Sequence, residues 1–289
     1  METTELLKKV RQIEIKAKGL SNNIFAGQYH SAFKGRGMSF AEVRDYQFGD
    51  DIRDIDWNVT ARYNKAFIKV FEEERELTVM LLVDVSGSQN FGTHGSVKRE
   101  IATEMAATLA FSAIQNNDKI GVIFFSDKIE KFIPPKKGKK HILYIIRELI
   151  SFEAESNRTD INMSLKFLTN AIKKRCTAFM ISDFIDMGEY KSALTIANRK
   201  HDIVALQVYD RLETELPKVG LMKVRDAETG IDQWVDTSSK KVQGTYQQWW
   251  KMRQDNMIDT FNRSRVDSIS VSTDEDYVKA LMSLFKKRR

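Results

Sequence analysis

Cysteine, proline and long hydrophobic runs are scarce in this chain. Its 289 residues include one cysteine, Cys176, and 3 prolines. A single thiol excludes an intramolecular disulfide and is typical of a reducing compartment. No apolar stretch approaches the roughly 18 residues that a membrane-spanning helix needs, and residues 1–5 do not resemble a signal peptide. We therefore expect a cytoplasmic protein without an integral membrane span.

Motifs that would indicate a common enzyme class are also missing. The sequence has no Gly-x-x-x-x-Gly-Lys-Ser/Thr loop, which argues against ATP hydrolysis by this chain. None of its histidines has the spacing of a catalytic triad or a zinc site. The histidines are His30, His94, His141 and His201.

The charge balance gives only weak support for a nucleic-acid partner. The net charge of +6 is a small surplus of 46 basic over 40 acidic residues. Basic residues cluster at positions 136–140 and 286–289, but no aromatic residues are interleaved with them as in a nucleic-acid-binding motif. We interpret the clusters as a solvated loop and tail, and we expect no nucleic acid among the partners.

Apolar and amphipathic segments alternate in the order typical of an α/β protein. Residues 78–83 are mostly apolar, as in a strand that is buried on both faces. Strands separated by helices need right-handed crossovers and form a parallel sheet. The sequence therefore predicts a three-layer, doubly wound, mostly parallel sheet. Strands are predicted at 67–72, 77–83, 120–126, 178–182, 203–209 and 268–271, an edge strand at 128–133, and helices at 5–18, 97–116, 142–150, 161–174, 189–199, 241–263 and 277–285. A β-hairpin is predicted at 221–236.

The loop after the first buried strand carries the most informative residues. Asp84, Ser86 and Ser88 alternate along the chain, so an extended backbone would present their three oxygens on one side. Gly87 allows a sharp turn between the serines. Loops at the carboxyl ends of strands are the ligand-binding positions of open α/β sheets. One carboxylate and two hydroxyls suit a hard cation such as Mg²⁺ or Mn²⁺.

Two further segments supply oxygens for this loop. Asp183 follows the predicted strand at 178–182, and Thr159 precedes the helix that begins near Ile161. Each residue also has a structural explanation, because a strand-ending aspartate or a threonine before a helix is a common cap or turn residue. Asp160 and Asp186 are alternative candidates for the carboxylate roles.

Together, Asp84-x-Ser86-x-Ser88, Thr159 and Asp183 resemble the metal-ion-dependent adhesion site of von Willebrand factor A domains. The resemblance implies that the two serines and the threonine contact the metal directly. It also implies that the aspartates hold the metal through water. All five positions of the motif are present in this sequence.

The segment before the first buried strand is dense in charges and aromatic residues. Residues 35–62 alternate Arg and Asp with Tyr, Trp and Ile, which predicts a partly buried network of arginine–carboxylate pairs that fastens the segment onto the sheet. We therefore divide the chain into an N-terminal extension, residues 1–76, packed on a von Willebrand factor A-like domain, residues 77–289. The predicted members of the network are Arg44, Asp50, Asp51, Arg53, Asp56 and Arg62.

This combination of segments resembles the bacterial domain-of-unknown-function 58 family. The resemblance extends from about Ala26 onward and includes the hairpin turn at 226–230. It implies action with a MoxR-type AAA+ ATPase, as an adaptor in chaperone-like assembly or in metal insertion. No catalytic activity is established for the family as a whole.

Three classes of function are therefore open. The first is a metal-dependent protein-interaction module that is not an enzyme, with a MoxR-type AAA+ ATPase or a client protein as its partner. The second is a metal-dependent hydrolase, although Ser86 stands where aspartyl phosphatases place their second acid. The third is a nucleic-acid-binding protein. We favour the first.

Overall fold

The computed structural model describes residues 11–15, 38–63, 65–73, 77–93, 97–186, 188–225 and 230–288. Of the helix predicted at 5–18, only residues 11–15 are described, and they are helical. The hairpin turn at 226–229 lies outside the described residues. The chain divides into two compact units, one comprising Lys34–Leu77 and the other including Thr78–Arg289.

The smaller unit contains an antiparallel strand pair and a short helix. Strand β1 (Met38–Asp45) pairs with β2 (Phe67–Glu73), and the register shifts between Phe40 and Glu42. Helix α1 (Trp57–Tyr63) lies between them in sequence, and the carboxylate of Asp56 accepts a hydrogen bond from the backbone N–H of Asn58. The strand β2 was predicted, whereas β1 and α1 were not. Charged residues interrupt the apolar alternation of β1, and the seven residues of α1 are too few to show a helical period.

The charged residues of this unit form separate pairs of unequal burial. Arg44 donates two hydrogen bonds, of 2.9 and 2.8 Å, to the carboxylate of Asp50. Arg53 pairs with its neighbour Asp51 at 3.4 Å, and the Arg53 side chain is 91% exposed. The expectation that Arg53 belongs to a partly buried network is therefore wrong. The packing of residues 1–76 on the sheet domain stays a prediction.

The larger unit is built on a six-stranded sheet. Its strands are β3 (Thr78–Asp84), β4 (Lys119–Phe125), β5 (Ile129–Lys136), β6 (Thr177–Ser182), β7 (Asp202–Tyr209) and β10 (Asp267–Ser272). They lie in the order β10-β7-β6-β3-β4-β5. All neighbouring strands are parallel except the edge pair β4 and β5, which is antiparallel as predicted. The central strand β3 is almost wholly buried because its Val, Met and Leu side chains face helices on both sides. A separate hairpin comprises β8 (Leu221–Arg225) and β9 (Asp232–Asp236).

The helices of the larger unit are α2 (Lys98–Gln115), α3 (Lys139–Ser151), α4 (Ile161–Ala171), α5 (Lys191–Lys200), α6 (Arg211–Thr214), α7 (Lys240–Arg263) and α8 (Tyr277–Lys287). They cover the sheet in two groups: the long helix α2 contacts α3 and α8, and α4 contacts α5. These groups complete the three-layer α/β architecture expected from the sequence, and the predicted fold class is confirmed. Within the described part of the chain, no helix is both long and apolar enough to span a membrane.

Candidate functional site

The loop after β3 turns back on its own strand-ending carboxylate. The backbone N–H of Ser86 donates a 2.9 Å hydrogen bond to Oδ1 of Asp84. A short 3-10 turn, Gly87–Asn90, follows and brings the hydroxyl oxygens of Ser86 and Ser88 to 3.1 Å from each other. Asp84, Ser86 and Ser88 are each at least nine-tenths buried. The predicted alternation therefore places one carboxylate and two hydroxyls together at the carboxyl end of the central strand.

The end of β6 reaches the same carboxylate. Ser182, its last residue, donates a 2.6 Å hydrogen bond from its hydroxyl to Oδ2 of Asp84. The next residue, Asp183, is 2% exposed. Phe184 then has a φ of +55°, a left-handed conformation that is uncommon for a phenylalanine, and its N–H donates to the hydroxyl of Ser182. This turn holds Asp183 at the carboxyl end of the sheet, close enough to Asp84 for the two charges to interact.

The loop before α4 supplies the third side of the site. The backbone N–H of Gly87 donates a 3.1 Å hydrogen bond to the carbonyl oxygen of Asn157, two residues before Thr159. Thr159 is 9% exposed, and its hydroxyl has no hydrogen-bond partner among the described residues. A buried hydroxyl without a partner is costly, which makes Thr159 a candidate ligand.

The two alternative aspartates have local roles at the start of α4. Asp160 is the N-cap of α4 and accepts a 2.8 Å hydrogen bond from the backbone N–H of Met163. Asp186 accepts hydrogen bonds from the N–H groups of Ile161 and Gly188. Both carboxylates position the Thr159 loop by accepting backbone N–H groups at the start of α4. Asp183 is kept as the candidate because it follows β6 directly and its charge acts on Asp84.

A buried lysine that the sequence analysis did not identify occupies the neighbourhood of Asp183. Lys98, the first residue of α2, places its Nζ 2.7 Å from Oδ2 of Asp183 and 2.5 Å from Oε1 of Glu213. The Lys98 side chain is 0% exposed. One sequence signal existed, since a lysine at the start of a helix is unfavourable beside the positive end of the helix dipole and needs an acidic partner.

Burial shapes the electrostatics of this cluster. Desolvation and the nearby charge of Asp183 raise the pKa of Asp84 to about 7, against the effect of hydrogen bonds from Ser182 and Ser86. Burial acts to lower the pKa of Lys98, but the charges of Asp183 and Glu213 outweigh it and raise that pKa. Burial likewise raises the pKa of Glu213. Burial and the charge of Asp183 disfavour the ionised form of Asp84, and a cation bound nearby would stabilise that ionised form.

The donor set consists of oxygen atoms, which suit a hard cation. Within the described ranges, no group of three or more His, Cys, Asp and Glu side chains could hold a metal ion by itself. A cation would therefore depend on the hydroxyls of Ser86, Ser88 and Thr159, which are oxygen ligands of the kind that Mg²⁺ and Mn²⁺ accept. The buried amide of the adjacent Gln89 also lacks a partner among the described residues. The residues present thus fit a hard cation, and the five-residue metal site stays a prediction.

The strand order and the alternation of strands and helices define an α/β domain with a mostly parallel sheet, as expected. The chain matches the family described as "Protein of unknown function DUF58" over residues 42–256. It therefore belongs to this family, which the sequence analysis anticipated.

The chain is similar to one bacterial relative and to one solved structure. An uncharacterized protein of Mycobacterium tuberculosis (strain ATCC 25618 / H37Rv) is 29% identical over 233 residues, which cover 80% of this chain and 74% of the relative. The crystal structure of an aerotolerance-related membrane protein from Bacteroides fragilis NCTC 9343 covers 73% of this chain and 99% of its own, with a TM-score of 0.50 and 16% identity. At that identity the likeness shows the fold alone.

Proposed function

We propose that this protein is a metal-dependent protein-interaction module. The observation that carries the proposal is the buried, unpartnered hydroxyl of Thr159 beside the loop that joins the hydroxyls of Ser86 and Ser88. A bound cation would satisfy this buried hydroxyl, whose loop is hydrogen-bonded through Asn157 to the backbone of Gly87, between the two serines. No catalytic role is assigned to the site in this proposal.

The chemistry of the cation accounts for partner binding. Mg²⁺ requires six oxygen ligands, and three hydroxyls with waters held by Asp84 and Asp183 leave room for an exchangeable ligand. A carboxylate from a partner protein would suit that position because it is an oxygen ligand with a compensating charge. The same reasoning applies to Mn²⁺.

The proposed partner is a MoxR-type AAA+ ATPase or a client protein of that ATPase. This part rests on the resemblance of the chain to its family, with the protein acting as an adaptor in chaperone-like assembly. By linkage, if the metal raises the affinity for the partner, the partner must raise the affinity for the metal by the same factor.

The metal is tested first, by calorimetric titration and thermal unfolding with Mg²⁺, Mn²⁺ or a chelator. A cation at 100 times its dissociation constant should stabilise the fold by about 2.7 kcal/mol. The double variant Ser86→Ala, Ser88→Ala should lose this stabilisation by metal. The control Ser164→Ala, at a buried serine within α4, should retain it. Normal metal binding by the double variant would refute the site.

The partner is tested by measuring affinity for the ATPase encoded by the same organism. The ATPase is used without nucleotide, because nucleotide binding has its own need for Mg²⁺. Binding should be stronger with Mg²⁺ than with chelator, and Asp84→Ala should remove the difference. Equal affinity in all of these conditions would remove the metal-bridged mechanism.

A further inference from the structure

The buried ammonium of Lys98 is the least expected feature of the site. An ammonium group that is taken out of water loses its hydration, and a partner of opposite charge must offset this loss. Its position as the first residue of α2 adds to the cost, because the dipole of this helix places a partial positive charge there. Two carboxylates, from Asp183 and Glu213, offset both terms.

The pairing of Lys98 reduces what Asp183 can offer to a cation. Oδ2 of Asp183 receives the ammonium at 2.7 Å, and Oδ1 receives the backbone N–H of Ile185 at 3.0 Å. A divalent cation that enters beside Asp84 must therefore share Asp183 with a positive charge already in contact with it. Two cations that share one buried carboxylate repel each other strongly, because little solvent screens them.

We propose that Lys98 is an internal counter-cation that competes with the divalent metal for Asp183 and thereby sets the metal affinity of the site. This inference rests on the proposed function and identifies the residue that regulates it. In the protein without a partner, the ammonium lowers the affinity of the site for the metal. A carboxylate from the partner adds a negative charge that offsets the repulsion between the two cations, so metal and partner each bind more tightly when the other is present.

Glu213 influences how strongly Lys98 competes with the metal for Asp183. It shares the ammonium with Asp183, and it is held in place at α6 by a capping box with Asp210 and by Tyr246, whose hydroxyl donates to the Glu213 carbonyl oxygen at 2.9 Å. Loss of the Glu213 charge would leave the ammonium to Asp183 alone and would weaken metal binding. Loss of both Lys98 and the Glu213 charge would leave Asp183 free for the metal.

The experiment is a calorimetric titration of Mn²⁺ and Mg²⁺ into the wild type and three variants, with folding checked by circular dichroism. The double variant Lys98→Met, Glu213→Gln should bind metal at least tenfold more tightly than the wild type. Glu213→Gln alone should bind it more weakly. The double variant Lys128→Met, Glu155→Gln removes an exposed ion pair and should leave the affinity unchanged.

The outcomes separate this inference from the proposed function. If the wild type binds metal and the Lys98 double variant binds it no more tightly, the competition is refuted and the proposed function stands. If only the Lys98 double variant binds metal, the competition is supported and metal-dependent function of the wild type is refuted. If neither the wild type nor any variant binds metal, both the competition and the proposed function are refuted. Where the double variant does not fold, unchanged or tighter binding by Glu213→Gln refutes the competition.

Discussion

The hydroxyl of Ser182 donates a 2.6 Å hydrogen bond to Oδ2 of Asp84 and joins two strands at the centre of the sheet. Both residues are buried, at 0% and 2% exposure. The contact ties the end of β6 to the end of β3, and it orients the carboxylate so that Oδ1 receives the N–H of Ser86. Ser182 is therefore a positioning residue for the candidate site.

Ser182→Ala should destabilise the protein by about 1–3 kcal/mol, because it leaves a buried carboxylate with one donor fewer. Urea unfolding monitored by circular dichroism measures the change. Ser164→Ala is the matched control, since Ser164 is equally buried but its hydroxyl donates to the uncharged carbonyl oxygen of Ile161. A larger loss of stability for the control would show that the hydrogen bond to Asp84 contributes no more to the free energy of unfolding than one to an uncharged carbonyl oxygen.

Thr159→Val tests whether the unpartnered hydroxyl is kept for a ligand. Valine has nearly the shape of threonine, so in chelator the variant should be as stable as the wild type or more stable, by up to about 1 kcal/mol. In Mg²⁺ the variant should gain less stability than the wild type. Thr159→Ser, which keeps the hydroxyl, should retain most of the metal response. A threonine-to-valine variant that is clearly less stable in chelator would contradict this assignment.

The smaller unit allows a comparison of two arginines. Arg44 makes a two-pronged contact with Asp50, whose side chain is 18% exposed, whereas Arg53 is 91% exposed. Arg44→Ala should lower the melting temperature of the full chain, because the Asp50 carboxylate would lose both guanidinium donors and keep the hydrogen bond from the Gln47 N–H. Arg53→Ala should leave the melting temperature within error. Equal shifts for the two variants would be inconsistent with these contacts.

A buried histidine makes the stability of the protein dependent on pH. His201 is 0% exposed, and its Nδ1 lies 3.3 Å from Sγ of Cys176. Burial, with the positive charges of Lys200 and Arg175, lowers the pKa of His201 from the usual 6.5 to about 4. The unfolded chain therefore binds a proton more readily than the folded one between these values, and the stability contributed by the neutral ring is lost as the pH falls through this range.

The measurement is urea unfolding at pH 8, 6.5 and 5. Above pH 6.5 the wild type should keep this contribution in full, and below it the loss should approach about 1.4 kcal/mol per pH unit at most. His201→Leu should flatten this part of the profile. His141→Leu, at a histidine whose Nε2 contacts the carbonyl oxygen of Ile120, should keep it. Parallel profiles for the wild type and His201→Leu would exclude His201 as the cause.

The sequence by itself determined the elements of the sheet and the residues that end its strands. Buried strands and amphipathic helices follow from local periodicity, because the spacing of apolar residues decides which face of an element can be buried. The loop after β3 was predictable for the same reason, since Asp84, Ser86 and Ser88 are close in sequence. Strand β1 was missed because charged residues interrupt its alternation, and helix α1 because its seven residues are too few to show a helical period.

Only the tertiary structure decided which charges meet. Lys98 is separated from Asp183 by 85 residues and from Glu213 by 115, and no local pattern brings the three together. The exposure of Arg53 and the contact between Ser182 and Asp84 depend in the same way on how distant segments pack. Hydrophobic burial is encoded in short repeating patterns, whereas the pairing of a buried charge depends on which loops the folded chain places side by side.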